Sequence, residues 1–376
     1  MKKTLACVLA LCLMLACPAA ASEAAPVETH AKSVLLMERE TGTVLFEQDA
    51  HRPLAPASVT KVMTMLLVVE ALDSGVLSPE EPVTTSAAAA GMGGSQVYLE
   101  EGEQMSVSEM LKAVAVASGN DAAVALAEHL KGSEAAFVEA MNQRATELGM
   151  ADTHFVNCTG LPAQGHVTTA YDIALMSRAL LSHEVIRPFV GTWMDTLRGG
   201  AFQLSNTNKL IHFYQGATGL KTGFTQDAGF CISASAERDG MELIAVVLGS
   251  ETSKERFETA KNLLNYGFGG WTMAQVTPTE PLAPVPVSMG TQDGVEPVPE
   301  RRMRLLLTKE QAAQLTVTTE VAQALDAPVE QGAPLGMLRA FVDDNCVGEM
   351  PLVARTAVER RDFADLFRSL VGGLAG

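Results

Sequence analysis

The chain has 376 residues, 47% apolar and 19% charged. That is enough to bury sizeable cores in two or three domains, and it excludes a disordered chain. Acidic residues outnumber basic ones 44 to 27, and the net charge of −17 argues against nucleic-acid binding, which needs clustered cations. No apolar run is long enough for a spanning helix, which argues against a multispan membrane protein.

At the N-terminus, Lys2 and Lys3 precede an apolar run from Leu5 to Ala16 and then the small residues Ala19-Ala20-Ala21-Ser22. This is the order of a secretory signal peptide, so residues 1–21 are expected to be removed on export. Cys17 after Leu15-Ala16 leaves a lipid-attachment reading open, and Pro18 directly after it counts against that reading. Cys7, Cys12 and Cys17 leave with the signal. Cys158, Cys231 and Cys346 remain, an odd set with no disulfide framework to read and no recognisable nucleophile context.

Residues 33–39 and 43–48 flank Glu40-Thr41-Gly42 and predict a β-hairpin. A helix is predicted from near Ser58 through Val59, Met63, Leu66, Val69 and Leu72. Helical patterns dominate from about 107 to 185, interrupted by a loop at Gly160-Leu161-Pro162. Residues 229–236 and 241–249 read as strands paired through a tight turn at Arg238-Asp239-Gly240, and 253–266 as a helix. Strands at both ends with helices between them predict an α+β domain over 22–274, whose sheet joins N- and C-terminal pieces.

Six of the seventeen prolines lie between Pro278 and Pro299, which disfavours helix and marks a boundary. Beyond it, 302–307, 316–319 and 337–342 predict short strands, and 275–355 a small β-rich domain. From Phe363, the residues Leu366, Phe367, Leu370, Val371 and Leu374 recur on one helical face, with Arg360, Arg361, Asp362, Asp365 and Arg368 largely off it. Residues 356–376 are therefore expected to form an amphipathic helix. Docking on its own domain is one reading; its place at the extreme end favours a membrane interface.

Three short motifs stand in one order: Ser58-Val59-Thr60-Lys61 (S-x-x-K), Ser118-Gly119-Asn120 (S-x-N) and Lys221-Thr222-Gly223 (K-T-G). S-x-x-K alone carries little, since about one match is expected in a chain this long. Separately the three read as a helix start with a solvated lysine, a helix N-cap and a strand end. Together they match the set of penicillin-binding proteins and serine β-lactamases. The chemistry explains the spacing. Ser58 and Lys61, three apart at a helix start, share one face. A serine hydroxyl needs an adjacent base, and lysine serves only if burial and nearby cations keep it neutral. Lys221 would supply one such cation, and the helix N-terminus a field favouring an oxyanion. Asn120 offers an amide to Lys61 and to a substrate peptide group, and Ser118 a proton relay to the leaving amine. Lys221 and Thr222 suit a substrate carboxylate, and Gly223 lets a ligand lie along the strand.

Residues 56–61, 117–123 and 219–225, with His154-Phe155-Val156-Asn157-Cys158-Thr159-Gly160-Leu161 and His166-Val167-Thr168-Thr169-Ala170-Tyr171-Asp172, resemble the low-molecular-mass penicillin-binding D-alanyl-D-alanine carboxypeptidases. The resemblance spans about residues 30–270. It continues more weakly through Ala327-Pro328-Val329 and Pro351-Leu352-Val353-Ala354, which look like the family's C-terminal β domain; the tail looks like its membrane anchor. It implies a penicillin-binding, β-lactamase-like fold, an antiparallel sheet flanked by a helical cluster. It also implies removal of the terminal D-alanine from peptidoglycan stem pentapeptides through a Ser58 acyl-enzyme, with Lys61 as base. Ser118 and Asn120 would shuttle protons and position substrate, and Lys221 and Thr222 would hold the carboxylate. The N–H groups of Ser58 and Phe224 would form the oxyanion hole. β-Lactams would acylate Ser58, and no cofactor or metal is implied. Thr218 stands where many members have aspartate, and Phe224 where some have histidine; both bear on fine specificity.

A β-lactamase would need a water-activating glutamate, and none occurs between Glu147 and Glu184. A D,D-endopeptidase or transpeptidase acting on cross-links stays open, as does a non-catalytic penicillin-sensing protein on the same fold, although Ser58, Lys61 and Lys221 are all present. His183-Glu184 lacks the second histidine of a zinc-protease helix, and residues 216–222 lack the glycine before the lysine of a phosphate loop. His166 reads either as a substrate-loop residue or, more commonly for such a histidine, as a structural hydrogen-bond partner.

Overall fold

The computed structural model describes residues 27–363. The signal peptide and all of the expected tail helix beyond Phe363 lie outside the described residues. The main sheet has five antiparallel strands in the order β2-β1-β5-β4-β3: β1 Ser33–Glu38, β2 Val44–Gln48, β3 Ala217–Thr225, β4 Gly229–Arg238 and β5 Met241–Ser250. The N-terminal hairpin joins the C-terminal strands through β1 and β5, with Val34 opposite Val247. Asp239 and Gly240 form the two-residue turn between β4 and β5, with φ of 50° and 74°, the geometry whose twist suits antiparallel strands.

Every residue of β5 is buried, because both sheet faces are covered. Alternation sends Ile244, Val246 and Leu248 into the larger core and Leu243, Ala245 and Val247 into the smaller one. The smaller core is closed by α6 (Ser253–Gly270) through Phe257, Ala260, Leu263 and Leu264. The larger holds α1 (Lys61–Asp73), α2 (Val107–Lys112), α3 (Asn120–Lys131), α4 (Glu134–Glu147) and α5 (Ala170–Leu181). α1 is buried over most of its surface, with Val62, Met63, Met65, Leu66, Val68 and Val69 inaccessible and only Leu67, Glu70, Leu72 and Asp73 reaching solvent. It is a central core helix rather than a surface helix with one apolar stripe.

A β-rich body follows α6 directly. Trp271–Val276 pairs with Met303–Thr308, and a four-stranded sheet contains Thr316–Val321, Pro334–Val342 and Asn345–Ala354. Residues through Arg361 belong to this body rather than to a helix starting at 356. Val358 bridges Val329, Arg360 bridges Gly290, and Arg361 N–H donates to Met289 O. Among the described residues, no helix is long and apolar enough to cross a membrane.

Candidate active site

Ser58 lies in the 3-10 turn Ala57–Thr60 that leads into α1. Lys61, the first residue of α1, is wholly buried, and its Nζ donates to Ser58 Oγ at 3.0 Å and to Thr159 O at 2.8 Å. Burial lowers the Lys61 pKa to about 7, against the opposing pull of Cys158 and Asp121. Thr159 belongs to an irregular segment packed on the Ser58 turn. Gly160 there has φ of 83°, and a Cβ would fall 1.8 Å from Ala57 O, so no larger residue fits.

α2 ends in a π-helical turn, Ala113–Ala117, and Ser118 follows in left-handed geometry with φ of 65°. Its Oγ is buried without a partner. Ser118 is therefore not the N-cap of α3; Gly119 takes that position and Asn120 is the first helical residue. Asn120 Nδ2 donates to Gly93 O at 2.6 Å, while its buried Oδ1 has no partner. The bond from Lys61 to Asn120 expected from the sequence is not formed, since Lys61 is directed at Ser58 and Thr159. Ser118 Oγ and Asn120 Oδ1 are thus two buried polar atoms with no partner from the protein, available to bond a ligand. Asp121 fixes this corner by accepting from Val97 N–H and Leu99 N–H at 3.0 and 3.1 Å.

The third motif lies on β3, an edge strand paired only to β4 within its sheet. Lys221, opposite Ser233, is wholly buried and donates to Thr222 O. Burial pushes its pKa well below the usual lysine value, and the charges of Lys61 and Arg256 push the same way. Burial is the larger cause at both Lys61 and Lys221. Thr222 Oγ1 donates to Thr207 Oγ1 at 2.7 Å, and Thr207 N–H donates to Val116 O. Thr207 thereby ties the K-T-G strand to the segment ending in Ser118. At Gly223 a Cβ would lie 2.9 Å from both Pro56 O and Ser58 N. The demand for glycine comes from the Ser58 turn itself, and it sets Ser58 N–H beside β3. Phe224 is half exposed and stacks on Phe230 at 4.3 Å.

Sequence reasoning missed Arg256, thirty-three positions after Gly223. It is buried on α6 and donates to Gly223 O at 3.0 Å and Cys231 O at 3.2 Å, with its guanidinium over the Phe230 and Phe257 rings. Burial lowers even this group, to about 10. Nothing local in a helix start would reveal that role. Thr218, the departure from the family pattern, is a prop: its hydroxyl donates to Glu242 at 2.9 Å. Glu242 is buried and pairs with Arg39 and Arg187.

The comparisons with known proteins agree with this arrangement. Residues 19–252 match the D-alanyl-D-alanine carboxypeptidase family, and residues 276–360 match the C-terminal domain of penicillin-binding protein 5. The chain is 42% identical over 348 residues to D-alanyl-D-alanine carboxypeptidase DacF of Bacillus subtilis, covering 91% of this chain and 90% of that protein. Penicillin-binding protein 6B from Escherichia coli superposes with a TM-score of 0.71 at 32% identity, over 88% of this chain and 96% of that one. Penicillin-binding protein D2 from Listeria monocytogenes, solved in its ampicillin-bound form, gives 0.60 at 34% identity, over 65% of this chain and 99% of that one. On these matches, and on a buried lysine bonded to a serine beside a K-T-G edge strand, the chain belongs to the D-alanyl-D-alanine carboxypeptidase family.

Proposed function

We propose that this protein removes the terminal D-alanine from peptidoglycan stem pentapeptides through an acyl-enzyme on Ser58. The observation that carries the proposal is the buried Lys61 Nζ, 3.0 Å from Ser58 Oγ, with its pKa brought down to about 7. The open edge of β3 receives the peptide as an added strand, its carboxylate against Lys221 and Thr222. That carboxylate raises the proton affinity of Lys221, and a charged Lys221 favours the neutral form of Lys61. Docking the correct chain end therefore readies the base.

Neutral Lys61 takes the Ser58 proton as Oγ attacks the carbonyl carbon of the penultimate D-alanine. The oxyanion sits on the N–H groups of Ser58 and Phe224, adjacent because Gly223 lies against the turn. The proton passes by way of Ser118 to the leaving amine, and free D-alanine departs. Asn120 Oδ1 accepts from the substrate backbone. Water then attacks the ester with Lys61 again as base, releasing the shortened peptide and restoring Ser58. β-Lactams acylate the same Ser58 oxygen by opening of the lactam C–N bond, their amine stays tethered, and the ester persists, in keeping with the ampicillin-bound relative.

The same reading includes a cleaved signal over 1–21, a catalytic domain that ends with α6, a β-rich domain from Trp271 through Arg361, and a membrane-surface anchor in the tail beyond it. It is tested by D-alanine release from a peptide ending in D-Ala-D-Ala, with wild type beside Ser58→Ala. Release that persists in the variant sinks the proposal. No release from wild type that still takes a β-lactam on Ser58 moves the reading to a cross-link endopeptidase or a penicillin sensor.

A further inference from the structure

Ala57, one residue before Ser58, has φ of 49°, a region disfavoured for any residue with a Cβ. Its carbonyl accepts from Thr60 Oγ1 at 2.9 Å, and Thr60 Oγ1 lies 2.8 Å from His166 Nε2. On the other side of the ring, Val156 N–H donates to Nδ1 at 3.1 Å. A backbone N–H can only donate, so Nδ1 holds a lone pair and the proton sits on Nε2, aimed at Thr60. The three bonds therefore run one way, from Val156 through His166 and Thr60 to Ala57. Burial, with a smaller push from His154, brings the ring pKa down to about 4, which keeps it neutral.

Two pieces of chain meet at the Ala57 carbonyl. One is the Ser58 turn. The other is the 154–166 segment, whose Thr159 carbonyl holds Lys61 Nζ and whose Gly160 presses on Ala57 O. His166 closes that segment, and both it and Thr60 are buried.

We propose that His166 is a positioning residue for the Ser58–Lys61 pair: by donating to Thr60 it fixes the Ala57 carbonyl, and with it the register between the nucleophile's turn and the segment that holds the base. The proposal rests on Ser58 being the nucleophile. Of the two ring nitrogens, Nε2 carries the effect, and Nδ1 only orients the ring.

The two nitrogens can be tested apart in the full-length protein. The amide nitrogen of His166→Gln overlays Nε2, while the amide oxygen of His166→Asn overlays Nδ1. Thr60→Ser keeps the relay hydroxyl and Thr60→Val removes it. The readouts are the second-order rate of acylation by benzylpenicillin, intact mass, kcat and KM for D-alanine release, and melting temperature. His166→Gln and Thr60→Ser should stay within about threefold of wild type. His166→Asn and Thr60→Val should each lose roughly 10- to 100-fold in acylation and kcat, the scale expected for small misplacements of reacting groups, with KM little changed. Their double variant should lose no more than the worse single one, because both cut the same relay.

Full-rate acylation by His166→Asn overturns the proposal, as does a His166→Gln that falls equally far. So do losses that multiply in the double variant, or losses that vanish once each variant is assayed well below its melting temperature. An adduct missing from wild type, or present in Ser58→Ala, refutes the nucleophile reading instead and is told apart by the mass alone.

Discussion

Lys61 is the residue on which the chemistry turns, and its state is set by burial more than by any single partner. A base must be unprotonated to act, so acylation should fall about tenfold per pH unit below pH 7 and level off above it. The rate of benzylpenicillin acylation from pH 5 to 9 checks this, and a flat profile would remove Lys61 as base. Lys61→Ala should cost on the order of 10²- to 10⁴-fold in acylation, the usual range for a lost general base. His166 gives a separate, stability-side signature. Its ordinary value near 6.5 falls to about 4 in the folded protein, so the unfolded chain takes up the proton first. The stability contributed by the neutral ring is complete above pH 6.5 and is lost as pH falls through 4, by about 3 kcal/mol across the window. Urea unfolding at pH 7 and pH 4.5 should show a shallower loss in His166→Gln. At this scale, Ser58 and Lys61 were legible because three residues along a helix start are neighbours whatever the tertiary fold. The roles of Thr159 and Arg256 were not, because their partners lie tens of residues away and a carbonyl acceptor leaves no trace in sequence; His166 was legible as a structural hydrogen-bond partner, but its partner Thr60, 106 positions earlier, was not.

Elements set the distances between those residues. β3 approaches the Ser58 turn so closely that Gly223→Ala must push one against the other. Its Cβ meets backbone atoms, which cannot swing aside as a side chain could. That variant should lose roughly 1–3 kcal/mol of stability, and its acylation rate should fall more than its melting temperature suggests. Thr218→Asp should also destabilise, by about 1–3 kcal/mol, because it sets a second carboxylate against buried Glu242. Unchanged melting would show that Arg39 and Arg187 have charge to spare. The hairpins at 33–48 and 229–250 were readable from alternation and turn residues. In the β-rich body, the strand Asn345–Ala354 went unread. Its turn uses Asp343 and Asp344, with φ of 47° and 64° and no glycine to announce it. The π turn before Ser118 went unread too, because Ala-Val-Ala-Val-Ala is an apolar run that fits an ordinary buried helix.

Across the whole molecule, two bodies share a packed seam. Trp271, Met273 and Leu306 of the β-rich body join the core beneath α6, and Arg304 pairs with Glu40 at 2.6 Å beside the β4–β5 turn. Deleting residues 364–376 should therefore leave D-alanine release intact while moving the protein from membranes to the soluble fraction. Retention on membranes after the deletion would reject the tail as anchor. The central strand of the catalytic body, β5, is laid between β1 and β4, and the residues it joins to β1 lie about two hundred positions apart in the chain. Such non-local pairing is slow to form and pays its loop entropy before any reward. As the chain emerges from its N-terminus, the serine and its lysine come first, but the strand that completes their pocket comes some 160 residues later. A chain interrupted before Ser250 would carry the nucleophile and have no sheet to set it in, so labelled penicillin should stain only completed molecules. Antibiotic labelling then reads out maturation as well as occupancy, separating finished enzyme from fragments that an antibody to the N-terminal half would count alike.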